Sequence, residues 1–434
     1  VSATLTNGDV DDAVARARLL LSAPVTLRAE EVSISFSTSQ MAEALRTEST
    51  GDRLELSFDP EAITPILEAQ RGDIEQPPVD ARFEIDGTEI SIVPGRSGTL
   101  IDPEATAEAL AIGAASASRT GILPLIEGAE PELTTADLEG FGVEHLVSQF
   151  TTYHDCCQNR VINIHLIADT VDGVIIPPGE TFSLNGHVGP RTEEAGYLED
   201  GTIVGGELTK TIGGGVSQFA TTFYNAVFWG GYEDVTHKAH SFYFPRYPEG
   251  IEATISWPEP ELTFRNNSDA AVLVDTEYTD TSITVRFFGS NDGRSVVLAY
   301  SEGGGLERQV LAEGGPNARQ VSADVSDRFN VREAGDPLYR ANPDLDVDDQ
   351  RTVQSAASGW TVTVTRTITV GGDERVDEWN VVYSPRQQII EVHPCKVPNA
   401  GVECPVPSTT TTEPPASTTP STTPATTPET TAAG

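Results

Sequence analysis

Lysine is nearly missing from this chain. Lys210, Lys238 and Lys396 are the only three, and arginine supplies the rest of the 27 basic residues. Against them stand 66 acidic residues, for a formal net charge of -39. A surface of that sign repels a phosphate backbone, which argues against nucleic acid as a partner. Long apolar runs are missing too: no stretch approaches the roughly 20 residues a helix needs to cross a bilayer. The chain starts at Val1 with neither a Met nor an apolar leader, so a removed N-terminus that carried a signal or membrane anchor is expected. Cysteine is scarce, at four residues. Cys395 and Cys404 bracket a short loop containing Pro and Gly, which suits a local disulfide. Cys156 and Cys157 are adjacent; they could bond to each other, bridge elsewhere, or join His154 as metal ligands. The expectation is an extracellular, oxidising compartment, with no cofactor and no metal. In NPDLDVDDQ (342–350) the acids alternate, but the Gly of a calcium loop is absent, so a solvated acidic loop is expected.

What is present reads as an α+β protein. Near the N-terminus, the stretches LELSFDPEAITPILEAQ and ISIVPGRSGTLIDPEATAEALAIG each set a strand-like run before Asp-Pro-Glu-Ala. Asp59 and Asp102 are natural N-caps, with Pro60 and Pro103 at the first helical position. The expected organisation is a helix-on-sheet domain over 1–138, then a mixed α+β domain over 139–290 that ends in antiparallel strands. A loop-rich β extension with a hairpin at WTVTVTRTITV…RVDEWNVVY follows over 291–407. Residues 301–350 read as loop. The stretch 408–434 is nearly all Thr, Pro, Ser and Ala and predicts disorder, because it cannot bury apolar area to offset its chain entropy.

The central stretch is TIGGGVSQFATTFYNAVFW (211–229). Its apolar residues recur at helical spacing and predict a buried helix starting near Ser217. Gly213, Gly214 and Gly215 permit unusual backbone angles and would leave a ligand unobstructed. The N–H groups at the helix start, around Gly215–Gln218, suit a carboxylate or an oxyanion. No Gly-Lys-Ser/Thr follows, so this is not a phosphate-binding P-loop. Ser217 is either an N-cap or a nucleophile. A serine nucleophile needs a base and an orienting acid, and HKAHSFYFPRYPEGIEAT (237–254) offers His240 and Glu252, with Arg246 between them. Arg191 lies in a Pro/Gly-spaced loop upstream.

NRVINI, PPGETFSLN, VGPRT, GY, GGGVSQFATTFYNA, AHS and YPEGIEAT occur in the order found in the VanW family of bacterial envelope proteins, first noted beside vancomycin-resistance genes. The chain resembles that family over about 151–290. The region before it is similar to the peptidoglycan-binding domain found upstream of VanW in YoaR-like proteins. TTYHDCCQNR and the Thr/Pro tail resemble the actinobacterial branch. The resemblance implies a cell-envelope protein with peptidoglycan as partner; oligomeric state is left open. Many relatives carry Cys where this chain has Ser217, and that Cys is a plausible nucleophile of L,D-transpeptidase-like chemistry. His240 matches the family His, and Glu252 stands where Asp is common. A thiol at a helix N-terminus ionises readily, whereas a hydroxyl depends on a base throughout. The expectation is therefore a binding protein, with Gly213, Gly214, Gly215, Gln218, Arg191 and Arg246 contacting peptidoglycan stems. The alternative is an acyl-transfer enzyme using Ser217, His240 and Glu252.

Overall fold

The computed structural model describes residues 5–405 apart from 51–52, 73 and 205; the tail expected to be disordered lies outside the described residues. Among those described, the residues up to Arg332 together with Gly359–Ser384 form one compact unit. Glu333–Ser358 and the residues from Pro385 onward form a second. The fold is α+β, built from many small sheets.

In the N-terminal region, strand Val25–Ala29 pairs antiparallel with Val32–Phe36 and parallel with Thr120–Ile122. Helices Pro60–Gln70 and Pro103–Ala115 bury Ile63, Leu67, Ala107 and Leu110 in one core with Val25, Leu27, Ile34 and Phe36. The local capping device forms as its residues predict: the Asp59 carboxylate accepts from the Glu61 N–H at 2.9 Å, and Asp102 from the Ala105 N–H at 3.0 Å.

The centre is a six-stranded mixed sheet. Strand His145–Tyr153 runs antiparallel to Ser282–Gly289 and parallel to Arg294–Ser301. Helix Ser217–Trp229 lies across this sheet, and every side chain from Gln218 to Trp229 is buried. Its polar side chains, Gln218, Thr221, Thr222 and Asn225, are buried along with the apolar ones. Phe223 meets Phe287 of this sheet and Phe264 of a separate three-stranded sheet. The hairpin Gly359–Val370/Asp373–Tyr383 contributes Val362, Val364, Val381 and Tyr383 to the same core. Arg366, 1 % exposed, donates from Nη2 to the Tyr232 carbonyl at 2.7 Å and stacks over Phe228.

The region 301–350 is more ordered than its composition predicts. It contains strands Gly305–Glu313, Gln320–Val325, Phe329–Arg332 and Leu338–Ala341. Most of their side chains are exposed, so burial leaves little apolar alternation to read. In the second unit, Ile389–Val392 pairs parallel with Leu338–Ala341 and antiparallel with Gln350–Gln354. The sulfurs of Cys395 and Cys404 are bonded there, with the Cα atoms 4.9 Å apart.

Candidate functional site

Three glycines precede the central helix because three other segments press against them. A Cβ on Gly213 would lie 2.7 Å from the Arg191 Cβ, and one on Gly214 would lie 2.0 Å from the Asp200 carbonyl oxygen. One on Gly215 would lie 2.4 Å from the Arg160 Cβ. Gly213 and Gly215 also take positive φ, at 78° and 95°. The glycines thus allow close packing of the chain on itself rather than holding a channel open. Asn163 fixes the turn by donating to the carbonyls of Gly214 and Leu198, both at 2.8 Å.

Ser217 is the first helical residue, and Val216 occupies the cap position. Its hydroxyl does not cap the helix. It shares a 3.0 Å hydrogen bond with the Thr254 hydroxyl and accepts from the Ile255 N–H at 3.3 Å. The same pattern continues one and two turns along. Thr221 donates to the Ala253 carbonyl at 2.9 Å, and Asn225 donates to the Ile251 carbonyl at 2.8 Å. Positions i, i+4 and i+8 share one helix face, so Ser217, Thr221 and Asn225 zip the 251–255 segment along the helix. A neighbouring face, Gln218 and Thr222, meets strand His145–Tyr153: Gln218 donates to the Tyr153 carbonyl at 2.9 Å, and the Thr222 hydroxyl pairs with that of Thr152.

The zipped segment presents Glu252. Fully buried, its carboxylate meets His240 Nδ1 at 2.7 Å. The Thr254 N–H donates to the Lys238 carbonyl at 2.8 Å, which brings 238–240 alongside 252–254. The His240 ring stacks on Tyr247, with centroids 5.1 Å apart. Tyr383 of the hairpin reaches the same segment, where its hydroxyl accepts from the Gly250 N–H at 2.8 Å. Burial, and then the charge of Glu252, push that hydroxyl pKa up. Two pairs result, Ser217 with Thr254 and His240 with Glu252. They sit on residues two apart in the same segment, and among the described residues no hydrogen bond joins His240 to Ser217.

Arginines surround the start of the helix. Arg160 donates from Nη2 to Gln218 Oε1 at 2.6 Å, while its Nε is buried without an acceptor. Burial lowers its pKa; Tyr247 and Asp200 oppose that, and the charge of Arg246 adds to it. Arg246 lies over the rings of Phe244 and Tyr247, at 5.4 and 5.9 Å. Arg191 is spent on its own loop, donating to the Gly189 carbonyl and to Asn185 Oδ1. Cys156 and Cys157 are bonded to each other, so neither offers a thiolate beside His154. Among the described residues no group of three or more His, Cys, Asp or Glu is placed to hold a metal. A cavity of about 380 Å³, lined by Phe83, Ile85, Leu138 and Leu273 among others, contains none of the sequence-predicted site residues.

Sequence reasoning missed Arg160, Tyr247, Thr254 and Tyr383. Arg160 stands in NRVINI, and Tyr247 and Thr254 stand in YPEGIEAT, so the motifs held them without indicating their contacts. Tyr383 lies more than a hundred residues further on, with no local signal.

An α+β protein with a glycine-packed turn, a wholly buried helix and a clamped His–Glu pair defines the class. Residues 159–288 match the family described as VanW like protein, and residues 25–120 match one described as "Putative peptidoglycan binding domain". The chain therefore carries a VanW-like domain with a domain of the second type before it. It is 32 % identical over 161 residues to the uncharacterized protein YoaR of Bacillus subtilis, covering 37 % of this chain and 53 % of the relative. It is 29 % identical over 167 residues to the vancomycin B-type resistance protein VanW of Enterococcus faecalis, covering 36 % and 58 %. The chain thus spans just over half the length of these curated relatives. An IgA1 protease G5 domain structure aligns with 18 % of this chain and 93 % of its own, at 19 % identity and a TM-score of 0.12, too slight a likeness to carry an argument.

Proposed function

We propose that this is a cell-envelope protein, acting outside the membrane, that holds peptidoglycan or its stem peptides through the VanW-like domain. The two family matches suggest cell-wall association. The bonded cysteine pairs are consistent with an oxidising compartment. Binding rather than catalysis is favoured by one observation above the others: the Ser217 hydroxyl is the first tooth of the Ser217–Thr221–Asn225 zipper and is engaged by Thr254 and Ile255 instead of a base. A nucleophilic hydroxyl needs its base within hydrogen-bond reach.

The second reading is acyl transfer on stem peptides, of L,D-transpeptidase-like type, with Ser217 in the position of the family Cys. What favours it is the buried His240–Glu252 pair at 2.7 Å, which has the form of an oriented base. In that reading His240 takes the Ser217 proton after Thr254 yields its place, and the N–H groups near Gly215–Gln218 hold the oxyanion. Comparing the parent chain with Ser217→Ala in a stem-peptide crosslinking and hydrolysis assay separates the two. Binding predicts no turnover in either. Turnover in the parent that vanishes in the variant overturns it.

A further inference from the structure

Several arginines of this acidic chain have no ion pair among the described residues, and some of them, such as Arg191 and Arg366, spend N–H groups on carbonyl oxygens instead. Arg160 and Arg246, which meet at Tyr247, keep donors that are not spent in that way. Among the described residues Arg246 forms neither an ion pair nor a hydrogen bond with a side chain or backbone, and Arg160 forms no ion pair and keeps a buried, acceptorless Nε. Tyr247 joins them: the Arg246 guanidinium lies 5.9 Å from the centroid of its ring, and its hydroxyl is a hydrogen-bond partner of Arg160. Two guanidinium groups on one tyrosine repel each other, and an anion that joins them relieves the repulsion. His154 follows Tyr153, whose carbonyl accepts from the same Gln218 side chain that Arg160 holds; it is only 9 % exposed, and its Nε2 is also buried without a partner.

We propose that Arg160 and Arg246, with Tyr247 between them and His154 beside Arg160, form a recognition site for a free carboxylate of a peptide. This rests on the peptidoglycan reading above and names the group on the stem peptide that would be held. The guanidinium fork matches a planar carboxylate with two parallel N–H···O bonds, and the unpaired donors are of that kind. The neighbouring carboxylates Asp200 and Glu252 act on Arg160 and Tyr247. They would oppose a dianionic phosphate more than a monoanion. The site also accounts for a feature of the turn: Gly215 lets the helix start close over the Arg160 side chain, which holds that guanidinium in place.

The test is titration calorimetry of the full chain with a stem tetrapeptide bearing free carboxylates and with the same peptide converted throughout to carboxamides, repeated on Arg246→Gln. The expected result is binding of the acid, with the carboxamide weaker by about tenfold or more, and a similar loss for the acid alone in the variant. Equal binding of acid and carboxamide by the parent overturns the carboxylate site, and leaves the peptidoglycan reading standing. Displacement of the peptide by inorganic phosphate at lower concentration than by acetate overturns it as well, in favour of a phosphate site. If neither peptide binds and the chain also fails to sediment with cell walls, the underlying reading fails and the site with it. Should Arg246→Gln not fold, the acid-to-carboxamide ratio in the parent decides alone.

Discussion

Glu252 bears on the site more than its chemistry alone indicates. With its side chain fully buried and one oxygen on His240, it has no solvent to replace a lost partner. Glu252→Ala should cost about 2–4 kcal/mol of stability in denaturant unfolding, since it leaves a buried imidazole N–H unmatched. Gly214→Ala should be similarly damaging, because its Cβ would meet the backbone oxygen of Asp200 rather than a side chain that could swing away. Burial depresses the pKa of His154 and His145 below 6.5. The unfolded chain then binds protons that the folded one does not, so the stability these residues contribute is complete above pH 6.5 and declines as the pH falls below it. Unfolding free energy measured from about pH 7.5 to about pH 5 should therefore fall, and His154→Gln should reduce the slope. Asp275 works in the opposite sense: burial raises its pKa, which favours the folded chain as its carboxyl protonates.

At the scale of elements, the zipper and the hairpin fix the geometry of the site. Asn225 sits two turns from Ser217, yet it holds the Ile251 carbonyl in the same segment. Asn225→Ala should cost about 1–3 kcal/mol by leaving that buried carbonyl unpaired, read from the shift in unfolding midpoint. Val364 is fully buried against Gly250, whose φ is 76° and whose Cβ would lie 2.5 Å from a Val364 methyl. Much of this level was legible in the sequence. The Asp59 and Asp102 caps follow from residues adjacent in the chain, and the central helix follows from its apolar spacing. What stayed hidden was long-range. Periodicity marked the apolar face of this helix, but not that its polar face would be buried as well. Its Thr and Asn residues read as neutral fillers until the 251–255 backbone lies beside them. The three glycines were legible as permissive, but they serve close packing on Arg191, Asp200 and Arg160 rather than an open cradle.

For the whole molecule, the proposed picture is a strongly acidic chain that attaches to a bacterial cell wall through an arginine-lined site in the VanW-like domain. Among the described residues no helix is long and apolar enough to cross a membrane. The decisive measurement is sedimentation of the full chain with purified peptidoglycan sacculi, for the parent and for Ser217→Ala. On the proposed binding reading both should pellet with the sacculi, because the Ser217 hydroxyl meets Thr254 and Ile255 and is not itself a contact to the wall. A parent chain that stays in the supernatant would contradict wall binding.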